Sequence, residues 1–154
     1  MKKINHFING QEYISKSDRF GDIFNPASGE KIGSVSFGNK DDVAVAIQNA
    51  SEAHQTWATT RPLARSRVMF KFKELILRDM DKLSLELTNE HGKILSDSVG
   101  SLTRGMEVVE FACGIPHLLK GEFSENVGTE IDSWSTRQPL GVCVGISPFN
   151  FPAM

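Results

Sequence analysis

Cysteine is scarce in this 154-residue sequence. Only Cys113 and Cys143 occur, which excludes a disulfide framework of the kind that staples small secreted domains. Cys113 falls on an apolar helical stripe and Cys143 inside an apolar run. Both read as packing residues, since a nucleophilic thiolate needs a partly open, basic setting. Metal-ligand spacing is lacking too. Cys113 and His117 share a spacing of four, but Pro116 intervenes and no second pair at zinc-site spacing follows. No apolar run approaches the ~20 residues that span a bilayer. Positive charge is not in excess: 17 Lys and Arg face 19 Asp and Glu, for a net charge of -2. The electrostatic case for nucleic acid or an anionic membrane surface is therefore missing. The start, Met1-Lys2-Lys3-Ile4-Asn5-His6, carries neither the apolar core of a signal peptide nor the Arg- and Ser-rich character of a transit peptide. A cytoplasmic protein is the expectation. Repeats, low-complexity tracts, a P-loop and a Gly-x-Gly-x-x-Gly fingerprint are all missing. What remains is an ordinary globular composition, 40% hydrophobic and 23% charged, enough for one domain with a core.

The first third alternates short strands with turns. His6-Phe7-Ile8, Asn9-Gly10 and Gln11-Glu12-Tyr13-Ile14 read as a hairpin, because Asn-Gly supplies the left-handed residues a tight turn needs. Phe20 to Phe24 reads as a strand closed by Asn25-Pro26-Ala27-Ser28-Gly29, and Lys31 to Phe37 as another. Four helices follow. Val43, Ala46, Ile47, Ala50, His54 and Trp57 recur near 3.6 residues, with Asn39 or Lys40 at the start and Asp41 and Asp42 in the first turn. Pro62 opens the second helix, with Val68, Met69, Phe72, Leu75 and Ile76 on its apolar side. Its cationic residues, Arg61, Arg65, Arg67, Lys71 and Lys73, read as a solvated face rather than a phosphate site. The third carries Met80, Leu83 and Leu87 and ends at His91-Gly92. The fourth buries Leu102, Met106, Val109 and Cys113, which turns Arg104 toward the opposite side, between Gly100 and Gly105. A guanidinium beside small residues can grip a carboxylate in two-pronged fashion, although spacing alone equally describes a surface arginine. Thr129 to Gln138 contains β-formers without clean alternation, as an edge or projecting strand would.

The last fifteen residues organise the rest. Leu140-Gly141-Val142-Cys143-Val144-Gly145-Ile146 is the apolar run of a strand buried on both faces in a parallel sheet. Ser147-Pro148 ends it, and Phe149-Asn150-Phe151-Pro152 follows. Ligands of open parallel sheets bind beyond the carboxyl ends of the strands, which makes Asn150 a candidate site residue. Pro152 suits the first position of a helix. A chain ending at Met154 is therefore expected to stop within its first βαβ unit.

Gln138-Pro139-Leu140-Gly141-Val142 with Ile146-Ser147-Pro148-Phe149-Asn150-Phe151-Pro152 resembles a hallmark segment of the aldehyde dehydrogenase superfamily, and Asn25-Pro26-Ala27-Ser28-Gly29-Glu30 resembles a second. Most of the superfamily has Trp at the Phe149 position. Phe there, with Thr103-Arg104-Gly105 and Val109-Glu110-Phe111-Ala112, resembles the CoA-acylating methylmalonate-semialdehyde dehydrogenases. The resemblance covers the whole chain but roughly a third of a family member. It implies an α/β fold: the N-terminal part of the aldehyde dehydrogenase fold, with short β-hairpins, a helical layer and the first strand of an incomplete Rossmann-like sheet. Residues 1–154 would form part of the NAD-binding domain, with the oligomerisation strand region at about 122–138 and the catalytic domain lying outside the chain.

The implied chemistry begins with a cysteine thiolate attacking the aldehyde. Hydride passes to NAD, the thioacyl group is decarboxylated, and coenzyme A receives it as propanoyl-CoA, or acetyl-CoA from malonate semialdehyde. Asn150 corresponds to the oxyanion-hole amide, Ser147 and Phe149 to positions contacting NAD, and Arg104 to an arginine that holds the substrate carboxylate. Alanine is frequent at the Ser147 position in the family, so Ser147 would act through its backbone. The nucleophilic cysteine matches neither Cys113 nor Cys143, so the 154 residues alone are expected to be inactive. A small-molecule semialdehyde would be the partner, and a homotetramer the assembly, with no metal. A hydrolytic NAD(P)-dependent aldehyde dehydrogenase is the alternative, as is a non-catalytic product that associates with full-length subunits.

Overall fold

Turn chemistry sets the N-terminal layer in the computed structural model, which describes residues 2–154. Strands β2 (His6–Ile8) and β3 (Gln11–Tyr13) pair antiparallel as the expected hairpin. Asn9 and Gly10 both take positive φ, 55° and 73°, which the tight turn between them requires. A three-stranded sheet has the order β1 (Lys2–Ile4), β5 (Lys31–Ser36), β4 (Phe20–Phe24). β4 runs antiparallel to β5, and β1 lies parallel to it on the far edge. β1 was not legible in the sequence. A three-residue, lysine-rich strand carries almost no apolar pattern, and only its partner β5 identifies it.

The helices begin and end where their capping residues lie. Helix α1 (Lys40–Trp57) is capped by Asn39, whose side chain accepts from the backbone of Asp41 and Asp42 while Asp42 accepts from Asn39 N at 2.7 Å. Pro62 opens α2 (Pro62–Arg78), and α3 (Met80–His91) stops at Gly92 in the left-handed region. Helix α4 (Leu95–Cys113) packs against both α2 and α3, and a short α5 (Ile115–Leu118) returns onto α2. Cys113 is buried as expected, with Leu102, Met106 and Val109 half-buried. The deepest side chains are polar, however: Ser84 on α3 and Ser98 and Ser101 on α4 are fully buried. Ser98 shares a 2.8 Å hydroxyl contact with Thr88 across the α3–α4 seam. Hydroxyls this small let two helices approach closely, since interaxial distance follows the side chains at the contact.

The expected edge strand is present but short, and the expected buried strand needs correction. Within Thr129–Gln138 the chain forms only β7 (Ile131–Trp134), which folds back on β6 (Phe123–Gly128) as a hairpin turning at Thr129-Glu130. The apolar run Leu140–Ile146 is not a buried strand. No strand is formed there, Leu140 is 92% exposed and Ile146 93%, and Cys143 is exposed rather than packed. A parallel strand takes its hydrogen bonds from neighbours and its burial from covering helices. Among the described residues neither lies beside this run. The mixed α/β class holds, but the first strand of the expected Rossmann-like sheet is not formed among the described residues.

Candidate functional site

The α3–α4 corner, His91-Gly92-Lys93-Ile94, is where the two motif segments meet. Gly92 sits at φ 83°, and a Cβ there would lie 2.8 Å from Pro26. The Asn25–Glu30 loop therefore packs its proline onto the bare glycine. That loop is locked from within. Asn25 N donates to Glu30 O at 2.8 Å, Gly29 N to Asn25 O at 2.7 Å, and Ala27 N to the Asn25 side chain at 2.9 Å.

The closing segment docks on the other side of the same corner. His91 Nε2 lies 2.9 Å from the Phe149 carbonyl oxygen, and Lys93 Nζ donates to the Asn150 carbonyl oxygen at 3.2 Å. The Lys93 ammonium also stands 4.8 Å from the centroid of the Phe151 ring, within cation–π range. Phe149 itself is 91% exposed, and Asn150 is exposed beside it. Ser147 lies two residues before Phe149 on the same open stretch.

Arg104 projects from the exposed side of α4, as its position in the helix requires. It lines a cleft of about 260 Å³ with Lys93, Ser96, Asp97, Ser101 and Phe151. The flanking glycines divide their roles. A Cβ on Gly105 would lie 3.3 Å from Met154 Cα, so the closing segment passes close over α4 there, whereas Gly100 faces open space within the cleft. Ser101 Oγ is buried with no hydrogen-bond partner among the described residues. The structure thus joins Arg104 to the Asn150 segment through Lys93 and Phe151. Arg104 thus shares a cleft with the lysine that holds the Asn150 backbone, and a guanidinium there can hold an anionic group beside that segment. Lys93 escaped the sequence reading, and His91 entered it only as the end of the third helix, not as a site residue. Their signal was only the glycine that stops α3, and nothing local announces that residues fifty-odd positions later return to that stop.

Among the described residues no group of three or more His, Cys, Asp or Glu side chains gathers as metal ligands would, and no helix is long and apolar enough to cross a membrane. Fold and site together define a mixed α/β chain whose helical layer carries the exposed closing segment against a cleft lined by Arg104 and Lys93. The sequence profile of the aldehyde dehydrogenase family matches residues 13–154, and the chain belongs to that family.

Similar proteins narrow the comparison. The chain is 45% identical over all 154 residues to a malonate-semialdehyde dehydrogenase of Pseudomonas aeruginosa, spanning 31% of it. It is 45% identical over 152 residues, 99% of the chain, to the acylating mitochondrial methylmalonate-semialdehyde dehydrogenase of Arabidopsis thaliana, spanning 25% of that protein. Among solved structures, a Sinorhizobium meliloti protein described as a methylmalonate-semialdehyde dehydrogenase, complexed with NAD, superposes with a TM-score of 0.96 at 46% identity. The match covers 100% of this chain and 31% of that one. The methylmalonate-semialdehyde dehydrogenase of Oceanimonas doudoroffii superposes with a TM-score of 0.95 at 50% identity, covering 100% and 31%. The chain thus spans about a third of the length of these relatives or less.

Proposed function

We propose that this chain is the N-terminal portion of an NAD-dependent, CoA-acylating dehydrogenase of methylmalonate and malonate semialdehydes. The observation that carries the reading is the convergence of Arg104, Lys93 and the Asn150 segment on one cleft. The names of its relatives support the substrate class. Residues 1–154 contribute part of the NAD-binding domain.

In this reading the Asn150 side-chain amide donates to the aldehyde oxygen as that oxygen gains negative charge. A donor placed where charge develops is typically worth about 3–4 kcal/mol. The Arg104 guanidinium holds the substrate carboxylate, leaving the aldehyde oxygen oriented toward the amide. Ser147 and Phe149 would hold NAD: the exposed stretch offers a backbone N–H, a hydroxyl and an open ring face, a donor set that fits a planar nucleotide. When bound, NAD accepts the hydride. The thioacyl group would lose its carboxylate as carbon dioxide, taking a proton in its place, and the thiol of coenzyme A would then receive the acyl group by displacing the thiolate of the nucleophilic cysteine. Cys113 is buried at the end of α4 and Cys143 is exposed, and the family resemblance matches the nucleophile to neither. The exposed β6–β7 hairpin, with Phe123, Val127, Ile131 and Trp134 all open to solvent, is the surface proposed for a homotetramer. The proposed setting is the cytoplasm, and cell fractionation distinguishes it from the mitochondrial location that some relatives carry in their names.

Two variants of the full-length chain test the activity. Asn150→Ala should lower kcat by about a hundred- to a thousandfold for every aldehyde. Arg104→Ala should impair only aldehydes that bear a carboxylate, leaving propanal oxidation near its starting rate. Equal loss with both substrate types would remove the carboxylate role and favour a hydrolytic aldehyde dehydrogenase of broader scope.

A further inference from the structure

The peptides on either side of Asn150 belong to no helix or strand, so no backbone ladder sets their orientation. Two side chains from the α3–α4 corner do so instead. A carbonyl only accepts, so the His91 nitrogen facing Phe149 O, Nε2, carries a proton. The other ring nitrogen, Nδ1, is buried without a partner among the described residues. The contact to the closing segment is therefore the ring's polar attachment. Lys93 Nζ takes the next carbonyl, that of Asn150, and its charge also rests against the ring of Phe151. Gly92 between them has a left-handed φ, and Pro26 presses on the face where a side chain would stand, so the corner itself has little freedom.

The geometry has a consequence for the Asn150 side chain. The carbonyl of Phe149 lies in the peptide plane before the Asn150 Cα, and the carbonyl of Asn150 lies in the plane after it. Peptide units are rigid, so holding both carbonyls fixes φ and ψ at Asn150 and with them the direction of its Cα–Cβ bond. We propose that His91 and Lys93 are positioning residues that aim the Asn150 amide, acting on it through the backbone and not on the substrate directly. The proposal rests on the reading of Asn150 as the oxyanion donor. Lys93 also lines the Arg104 cleft, so the same corner sets the spacing between the carboxylate grip and the amide.

The test uses the full-length chain with Lys93→Met, which keeps the apolar stem but loses the donor and the charge. Misplacing a catalytic group by about an ångström costs up to a hundredfold, so kcat should fall by about ten- to a hundredfold while KM changes little. Lys93→Arg should restore most of the rate, because a guanidinium both donates to a carbonyl and stacks on an aromatic ring. A residue acting only through Asn150 has nothing left to act on once that amide is gone. The double variant Lys93→Met with Asn150→Ala should therefore be no slower than Asn150→Ala alone. A Lys93→Met enzyme within twofold of the wild type, or a double variant slowed by the full product of the two single losses, overturns the proposal. An inactive wild-type enzyme would instead sink the dehydrogenase reading. The positioning contact is then read by chymotryptic cleavage after Phe149, followed by mass spectrometry. Lys93→Met should speed that cut several-fold and Lys93→Arg should not, and equal rates in all three proteins would overturn the contact itself.

Discussion

Asp42 is the residue on which the start of the helical layer depends. Its buried carboxylate accepts from Ser15 Oγ at 2.6 Å and from Asn39 N at 2.7 Å, tying the β2–β3 hairpin's exit to the first turn of α1. The Ser15 hydrogen bond, then the Asn39 backbone, hold its pKa below the ordinary carboxylate range, and Tyr13 adds to both. A carboxyl whose folded pKa is depressed contributes stability that is present above the unfolded pKa. That contribution is lost as the pH falls through the folded pKa. Thermal melts should therefore show the chain losing stability on acidification below about pH 4, the ordinary carboxylate value, and Asp42→Asn should flatten that acid limb. Asn39→Ala removes the reciprocal cap and should cost about 1 kcal/mol at neutral pH. Equal acid sensitivity in wild type and Asp42→Asn would show that other carboxylates govern the limb.

Two glycines at the elements' ends and middles have opposite expected responses. Gly92 has φ 83° and faces Pro26 at 2.8 Å. Gly92→Ala must hold a left-handed residue at about 1–2 kcal/mol and also displace the Asn25–Glu30 loop. It should lower the melting temperature and, because Lys93 follows directly, loosen the Asn150 segment. Gly100 is inside α4 on an ordinary helical backbone, with nothing within 4 Å of the point where a Cβ would stand. Gly100→Ala should raise stability by about 0.5–1 kcal/mol, a rise of about 1–4 °C for a chain of this size. A fall in melting temperature would mean that the cleft beside Arg104 cannot accept even a methyl group.

At the scale of the molecule, the surface is the dominant fact. The solvent-accessible area is 11859 Å², whereas a compact monomer of this mass exposes about 7,700 Å². Apolar side chains on every layer contribute: Val43 and Ile47 on α1, Phe70 and Phe72 on α2, Phe111 on α4, Trp134 on the hairpin and Val144 in the closing run. A cleft of about 460 Å³ lined by Leu63, Phe70, Cys113 and Pro116 opens between α2, α4 and α5. Exposed apolar surface on this scale marks faces made for contact. The 154-residue chain alone should bind the dye ANS strongly and unfold with weak cooperativity. A longer chain carrying the same residues should bind far less dye and melt sharply. A sharp, dye-free transition from the 154 residues would show that these faces cover one another in solution.

The division between sequence and tertiary structure follows from how far each force reaches. Local chemistry determined the hairpin at Asn9-Gly10, the strand over Phe20–Phe24, the cap at Asn39, the start at Pro62 and the stop at Gly92. Each of these depends on φ, ψ and hydrogen bonds within a few residues, which is what residue order encodes. The motif segments, too, were legible as strings. Only the tertiary structure decided which residues are buried, choosing Ser84, Ser98 and Ser101 over the longer apolar side chains nearby, because burial depends on what faces a residue. It likewise decided that Leu140–Ile146 is no strand here, since a strand exists only with its neighbours. And it brought His91 and Lys93, at the end of one helix, to the two carbonyls that flank the Asn150 Cα. That meeting lies beyond any local pattern, and the candidate site is built around it.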